Sequence, residues 1–276
     1  MNCSVFNTRT IMNTRRFSPV LAFALLLVGA SAWPAVASPE DTGELTRDII
    51  IRSDALGYSL QYRVYIPAGH DEMSELPVMY VADGQWYVSE GGMPALLDQL
   101  IETKQIEPVL VVFVDNRNPA NLGENRRNRQ FFCNQNYVDF YRDELIPEID
   151  STYNTRADRS ARGILGLSFG GLNSACFGLH AHDSFENIAM QSPAMHPVPT
   201  IHKAYQDSVR LPLKVFLSSG DRRDNEDHTR RLRDILQAKN YPLHYVEVPF
   251  AHNWNNWRPL LDDLLLFFYA INAETR

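Results

Sequence analysis

The feature that most constrains this chain is Gly166-Leu167-Ser168-Phe169-Gly170-Gly171, because one kind of periodicity gives way to another there. Residues 161–167 are apolar enough for a buried strand, and residues 169–180 carry helical spacing. A strand that passes straight into a helix across GxSxG must turn sharply at the serine, which lifts the Ser168 hydroxyl clear of the backbone. Side chains at positions 166 and 170 would collide with neighbouring backbone in such a turn, and both are glycine. The helix behind the serine aims its N-terminal amides at the same spot, so the Phe169 N–H is placed to donate to an oxyanion.

The same alternation runs through the rest of the chain. Strand-like runs fall at 45–51, 58–66, 76–82, 109–115, 161–167, 187–191, 213–218 and 243–248. Helix-period segments fall at 93–103, 137–151, 169–180, 226–239 and 254–273. The last of these places Trp257, Leu260, Leu261, Leu264, Leu265 and Phe268 on one stripe. The first two strands are joined by a short turn and imply an antiparallel start, whereas strands separated by helices require crossovers and parallel pairing. The predicted fold is α/β: a three-layer sandwich with a mainly parallel sheet of about eight strands. Reactive groups in such a sheet gather at the carboxyl ends of its strands.

A serine hydroxyl is a weak nucleophile until a base takes its proton. His252 lies just past the final strand, before the final helix, where a loop can carry an imidazole over the sheet edge. The base in turn needs a carboxylate to orient it and stabilise its charged form. Asp221, Asp224, Glu226 and Asp227 all follow Gly220 on the preceding strand's loop. Glu226 and Asp227 read as first-turn helix charges, which leaves Asp224 as the first choice and Asp221 as the second. The chain order Ser168, Asp224, His252 is that of the α/β-hydrolases.

Composition excludes other classes. Arg9, Arg15 and Arg16 precede an apolar run and end in Ala35, Val36 and Ala37, the design of a secretory signal. Cleavage is expected after Ala37, with Ala32 the alternative, leaving one catalytic domain over 38–276 in the periplasm or outside the cell. Losing three arginines and no acid moves the net charge from −7 to −10. That acidity argues against nucleic acid and anionic membrane surfaces as partners, and no later run is long enough for stable membrane insertion. Oligomeric state is left open. His180, His182, His196 and His202 have no ligand spacing, so neither a metal nor another cofactor is expected. Cys133 and Cys176 remain after the signal, either as a disulfide or as separate thiols.

The residues then show a likeness. Asp83-Gly84-Gln85-Trp86 follows the third strand, and Tyr141-Arg142-Asp143-Glu144-Leu145-Ile146-Pro147 precedes Ala157-Asp158-Arg159. With the GLSFGG elbow and the ending His252-Asn253-Trp254, Trp257-Arg258, the chain resembles the esterase family of α/β-hydrolases that contains enterochelin esterases, esterase D and mycolyltransferases. The resemblance implies that the Gln85 N–H is the second oxyanion donor and that Asp83 shapes its turn. Two positions depart from the family pattern: Ala251 stands where glycine usually precedes the histidine, and Arg223 occupies the usual place of the acid.

The implied partner is a small-molecule ester. The loop between residues 115 and 137 carries Arg117, Arg126, Arg127 and Arg129, which either pair with the acidic surface and fix the loop or, with Arg126 and Arg129 as the candidates, hold an anionic substrate. Trp86 and Trp254 are candidates for stacking a sugar or phenolic ring. Hydrolysis through an acyl-enzyme is the first expectation. Acyl transfer to a sugar hydroxyl, as in the mycolyltransferase branch, and a non-catalytic binding protein of the same fold are the alternatives.

Overall fold

The computed structural model describes residues 42–73 and 75–271; the expected signal at 1–37 lies outside them. The strands are β1 (Glu44–Leu45), β2 (Ile49–Ser53), β3 (Tyr58–Ile66), β4 (Val78–Ala82), β5 (Leu110–Asp115), β6 (Arg117–Asn118), β7 (Asn121–Asn125), β8 (Arg162–Leu167), β9 (Asn187–Gln191), β10 (Lys214–Gly220) and β11 (Leu243–Val248). Nine of them form one sheet in the order β1-β3-β5-β4-β8-β9-β10-β11, with β2 also paired to β3. The pairs from β5 through β11 are parallel, and β3 joins β5, β1 and β2 antiparallel.

The helices that connect these strands are α1 (Gly84–Ser89), α2 (Met93–Glu102), α3 (Arg127–Gln130), α4 (Gln135–Asp139), α5 (Ile146–Thr152), α6 (Phe169–His180), α7 (Ile201–Asp207), α8 (Glu226–Ala238), α9 (Trp254–Trp257) and α10 (Leu261–Tyr269). They cover both faces of the sheet, and strand alternation sorts the core accordingly. Val78, Tyr80, Leu110 and Val112 pack on one side, and Met79, Val81, Val111 and Phe113 on the other. Strands covered on both faces are apolar along their buried length, as β4 is throughout and β5 is up to Asp115. The fold is the α/β-hydrolase sandwich.

Four local expectations change. The run 45–51 is two strands: at Thr46 the N–H still donates to the Val64 carbonyl at 2.9 Å, but the Val64 N–H donates to the Thr46 hydroxyl at 2.9 Å and not to its carbonyl, which interrupts the ladder. That split gives nine strands where about eight were expected. The helix expected over 137–151 has a π-helical stretch, Phe140–Leu145, just before Pro147, which has no N–H to continue the regular ladder. The final helix, expected unbroken over 254–273, is divided at Pro259 by the same chemistry, with a 3-10 turn at Arg258–Leu260. Finally, the long arginine-rich loop contains the β6–β7 hairpin and the single turn α3.

Cys133 and Cys176 are joined in a disulfide across 43 residues, which ties the loop after α3 to helix α6. Closing a loop of that length stabilises a fold by about 4 kcal/mol, chiefly by restricting the unfolded chain. Replacing both cysteines by serine is expected to lower the unfolding free energy in urea by roughly 2–4 kcal/mol. An unchanged midpoint would show that the bridge stabilises nothing.

Candidate active site

Five strand ends meet at one edge of the sheet: β4 leads to Asp83, β8 to Ser168, β9 to Ser192, β10 to Asp224 and β11 to His252. Ser168 sits at the elbow with φ 56° and ψ −119°. A non-glycine residue held there carries about 1–3 kcal/mol of backbone strain. Three hydrogen bonds hold it: its N–H donates to the Gln191 carbonyl at 2.9 Å, and its own carbonyl accepts from Leu172 at 3.1 Å and Ala194 at 2.9 Å. A side chain at Gly166 would come within 2.2 Å of the Gly170 backbone, so that glycine is required by contact. At Gly170 the expected backbone collision does not occur; the nearest atom is Oδ2 of Asp83, at 3.3 Å. Phe169 opens α6, where the first amides have no intrahelical acceptor.

The structure brings Asp224 and His252 together, with Nδ1 of the imidazole against Oδ1 of the carboxylate. Asp224 lies one residue beyond the usual spacing after Gly220, and Arg223 absorbs the extra residue in a left-handed conformation, φ 58°. The chain thereby turns back, and the Gly220 N–H donates to Oδ2 of Asp224 at 2.5 Å. Oδ2 also accepts from Ser192 Oγ at 2.5 Å, Asn256 Nδ2 at 2.8 Å and Ser219 Oγ at 3.3 Å. Burial alone would raise the Asp224 pKa; the bonds from His252, Ser192 and Gly220 outweigh it and bring the pKa from 3.8 to about 2. The carboxylate is therefore ionised at neutral pH. Asp221 is turned away: its side chain is 41% exposed and lies 3.6 Å from Arg222.

Ser192 and Asn256 were not recognisable in the sequence as parts of this site. Ser192 Oγ accepts from Trp257 Nε1 at 2.9 Å and from Asn256 at 3.1 Å, and its carbonyl accepts from Asn225 Nδ2 at 2.8 Å. The segment from Gln191 to Ala194 is therefore gripped by the Ser168 backbone on one side and by the Asp224–His252 cluster on the other. Trp257 also packs edge-on against the His252 ring, with centroids 4.9 Å apart. No hydrogen bond joins the Ser168 hydroxyl to the imidazole among the described residues. Such bonds are commonly long before substrate arrives and tighten on binding. The signal for Ser192 was its place directly after β9, at the reactive edge.

The second oxyanion candidate, Gln85, lies in the first turn of α1, where amides again have no intrahelical acceptor. The turn before it is fixed by Asp83 in a left-handed conformation, φ 56°. The Asp83 N–H donates to Asn116 Oδ1 at 2.9 Å, and its fully buried carboxylate pairs with Arg127 Nε at 2.8 Å. Burial pushes the Asp83 pKa up to about 6 against the pull of the Arg127 charge. Arg127 was read only as one arginine of the loop. Its guanidinium lies 5.2 Å from the Trp86 ring centroid and 5.6 Å from that of Phe169. It therefore bridges the two backbone turns that carry the candidate oxyanion donors.

The remaining candidates are dispersed. Arg126 is taken up by Glu124, 2.8 Å away, and stacks over Tyr58 at 4.4 Å, so it secures the hairpin. Arg129 stands exposed on α3. Trp86 is half-buried beneath Arg127, and Trp254 packs edge-on against Tyr87 and Trp257. Among the described residues no helix is long and apolar enough to cross a membrane.

The fold and this site define a class, an α/β-hydrolase arranged around a serine elbow. A family model described as "Putative esterase" matches residues 53–268, and the chain belongs to that family. The Iron(III) salmochelin esterase of Escherichia coli is 29% identical over 80% of this chain and 56% of its own length. The Endo-1,4-beta-xylanase/feruloyl esterase of Xylanibacter ruminicola is 24% identical over 77% of this chain, which spans only 30% of that protein. A ferulic acid esterase shares the fold, with a TM-score of 0.72 and 18% identity over 83% of this chain and 98% of its own. Membership of this family places the chain among the carboxylic ester hydrolases.

Proposed function

We propose that this protein is an exported serine esterase that works through Ser168, His252 and Asp224 on a small-molecule ester of siderophore, glycan or phenolic type. One observation carries the reading: the Asp224–His252 contact at the sheet edge that also holds Ser168 on its strained elbow. Ser168 Oγ attacks the ester carbonyl while its proton passes to His252 Nε2. Asp224 stabilises the imidazolium so formed, and the Gln85 and Phe169 amides receive the oxyanion. The carbon–oxygen bond to the alcohol breaks as His252 returns the proton to the departing oxygen. Water then repeats the sequence, releases the acid and restores the Ser168 hydroxyl.

An acyltransferase would share the first half of this cycle. Incubating the protein with an ester and an excess of sugar, then analysing the products, separates the two. Free acid as the main product is expected; quantitative transfer to the sugar would replace hydrolysis with transfer. Export is supported by the basic and apolar pattern of residues 1–37. Sequencing the N-terminus of protein recovered outside the cytoplasm is expected to begin after Ala37 or Ala32, and an intact start at Met1 or at the second in-frame Met12 would refute processing.

A further inference from the structure

Gln191 and Ser192 stand at the carboxyl end of β9, the strand between the one that leads to Ser168 and the one that leads to Asp224. Both are fully buried. Gln191 serves the nucleophile's side: its carbonyl accepts the Ser168 N–H at 2.9 Å, and its side chain accepts from Tyr87 of α1 at 2.9 Å and donates to the Trp257 carbonyl at 2.8 Å. Ser192 serves the acid's side, with Oγ 2.5 Å from Oδ2 of Asp224. Its backbone is left-handed, φ 44°, a conformation that glycine adopts without strain and serine does not. Strain of this kind persists where the surroundings hold a residue for its side chain.

The direction of the Ser192 hydroxyl follows from its neighbours. Trp257 Nε1 and Asn256 Nδ2, at 2.9 and 3.1 Å, can only donate, and together they fill both lone pairs of Oγ. Its single hydrogen is left for Asp224. Oδ2 then receives hydrogens from Ser192, from the Gly220 N–H and from Asn256, so the carboxylate is held against rotation with Oδ1 toward Nδ1 of His252. An ionised carboxylate only accepts, so Nδ1 carries the proton and Nε2 is the free base. The Ser192 carbonyl works to the same end: it accepts from Asn225 Nδ2 at 2.8 Å, a donor that stands 3.4 Å from Nδ1 and would impose the opposite tautomer if it turned there. We propose that Ser192 is a positioning residue, whose hydroxyl fixes the Asp224 carboxylate and through it the tautomer and orientation of His252. The proposal rests on the reading of Ser168, Asp224 and His252 given above.

Two substitutions separate this role from a merely structural one. Ser192→Ala removes the hydroxyl and keeps the strained backbone, whereas Ser192→Gly removes the hydroxyl and the strain together. Both are expected to lower kcat on p-nitrophenyl acetate about tenfold, with KM within about twofold of the parent protein. The loss stays well short of that expected at Asp224, since Gly220 and Asn256 still donate to Oδ2. The glycine variant is expected to have the higher urea midpoint of the two, so that activity follows the hydroxyl and not the stability. A kcat within about twofold of the parent in both variants, a loss that follows the midpoint, or failure of both to fold would overturn the proposal while leaving the esterase intact. Turnover that survives Ser168→Ala, or no turnover of any ester by the parent protein, would instead sink the esterase reading. Proton NMR of His252 then decides the positioning role by itself. A far-downfield signal from the proton on Nδ1 that moves upfield or broadens by exchange in Ser192→Ala supports it. No such signal in the parent protein, or one unchanged in the variant, refutes it.

Discussion

Ser168→Ala is expected to lower kcat on short p-nitrophenyl esters by roughly 10⁵- to 10⁶-fold, and His252→Ala by a similar amount. Each change removes a group without which the proton cannot be handed on, so the double variant should be about as inactive as either single one. Folding should be little affected. Ser168 is held by its backbone through Gln191, Leu172 and Ala194, and its hydroxyl contributes no hydrogen bond to the described structure. Far-ultraviolet circular dichroism and the urea midpoint check that point. Two losses that multiplied in the double variant would mean that the residues act independently, contrary to a shared proton path.

Asp224→Asn is expected to lower kcat by roughly 10⁴-fold, while Asp221→Asn stays within about twofold of the parent protein. The surroundings of Asp224 dictate the outcome. Its Oδ2 faces donors from Ser192, Gly220, Asn256 and Ser219, so an asparagine must keep its carbonyl oxygen on that side. The amide NH₂ is then forced toward Nδ1 of His252, where it donates. A neutral imidazole that accepts at Nδ1 carries its proton on Nε2 and cannot take the serine proton. Asp221 is exposed and pairs with Arg222, a surface pair of small energetic consequence. Equal losses at the two positions would contradict this assignment.

Local pattern carried much of the fold. The bounds of α6, β9 and β11 agree with the expected segments 169–180, 187–191 and 243–248, because each is a single uninterrupted period between turn residues. Segments with an internal proline, at Pro147 and Pro259, broke where the missing N–H interrupts the ladder. The hairpin over 117–125 was hidden since its strands are polar and short, with no alternating pattern to mark them.

At the site, the elbow serine and the late histidine stood out because motif and position in the chain both point to them. The choice between Asp224 and Asp221 did not, since it depends on a left-handed Arg223 and on partners at positions 192 and 256. The roles of Ser192, Asn256 and Arg127 are likewise tertiary. Each acts on a residue more than thirty positions away, and nothing in its immediate neighbourhood announces it. The loop arginines pair with acids, as one of the two readings of the sequence had it: Arg117 and Arg126 with Asp115 and Glu124 two positions away, and Arg127 with the distant Asp83.

The most direct measurement treats the protein with a fluorophosphonate and maps the adduct by mass spectrometry. The account predicts stoichiometric modification of Ser168 in the parent protein and little or none over the same period in His252→Ala, since only the paired imidazole makes that hydroxyl nucleophilic. An unmodified parent protein, modification of a different serine, or equal labelling with and without His252 would contradict it.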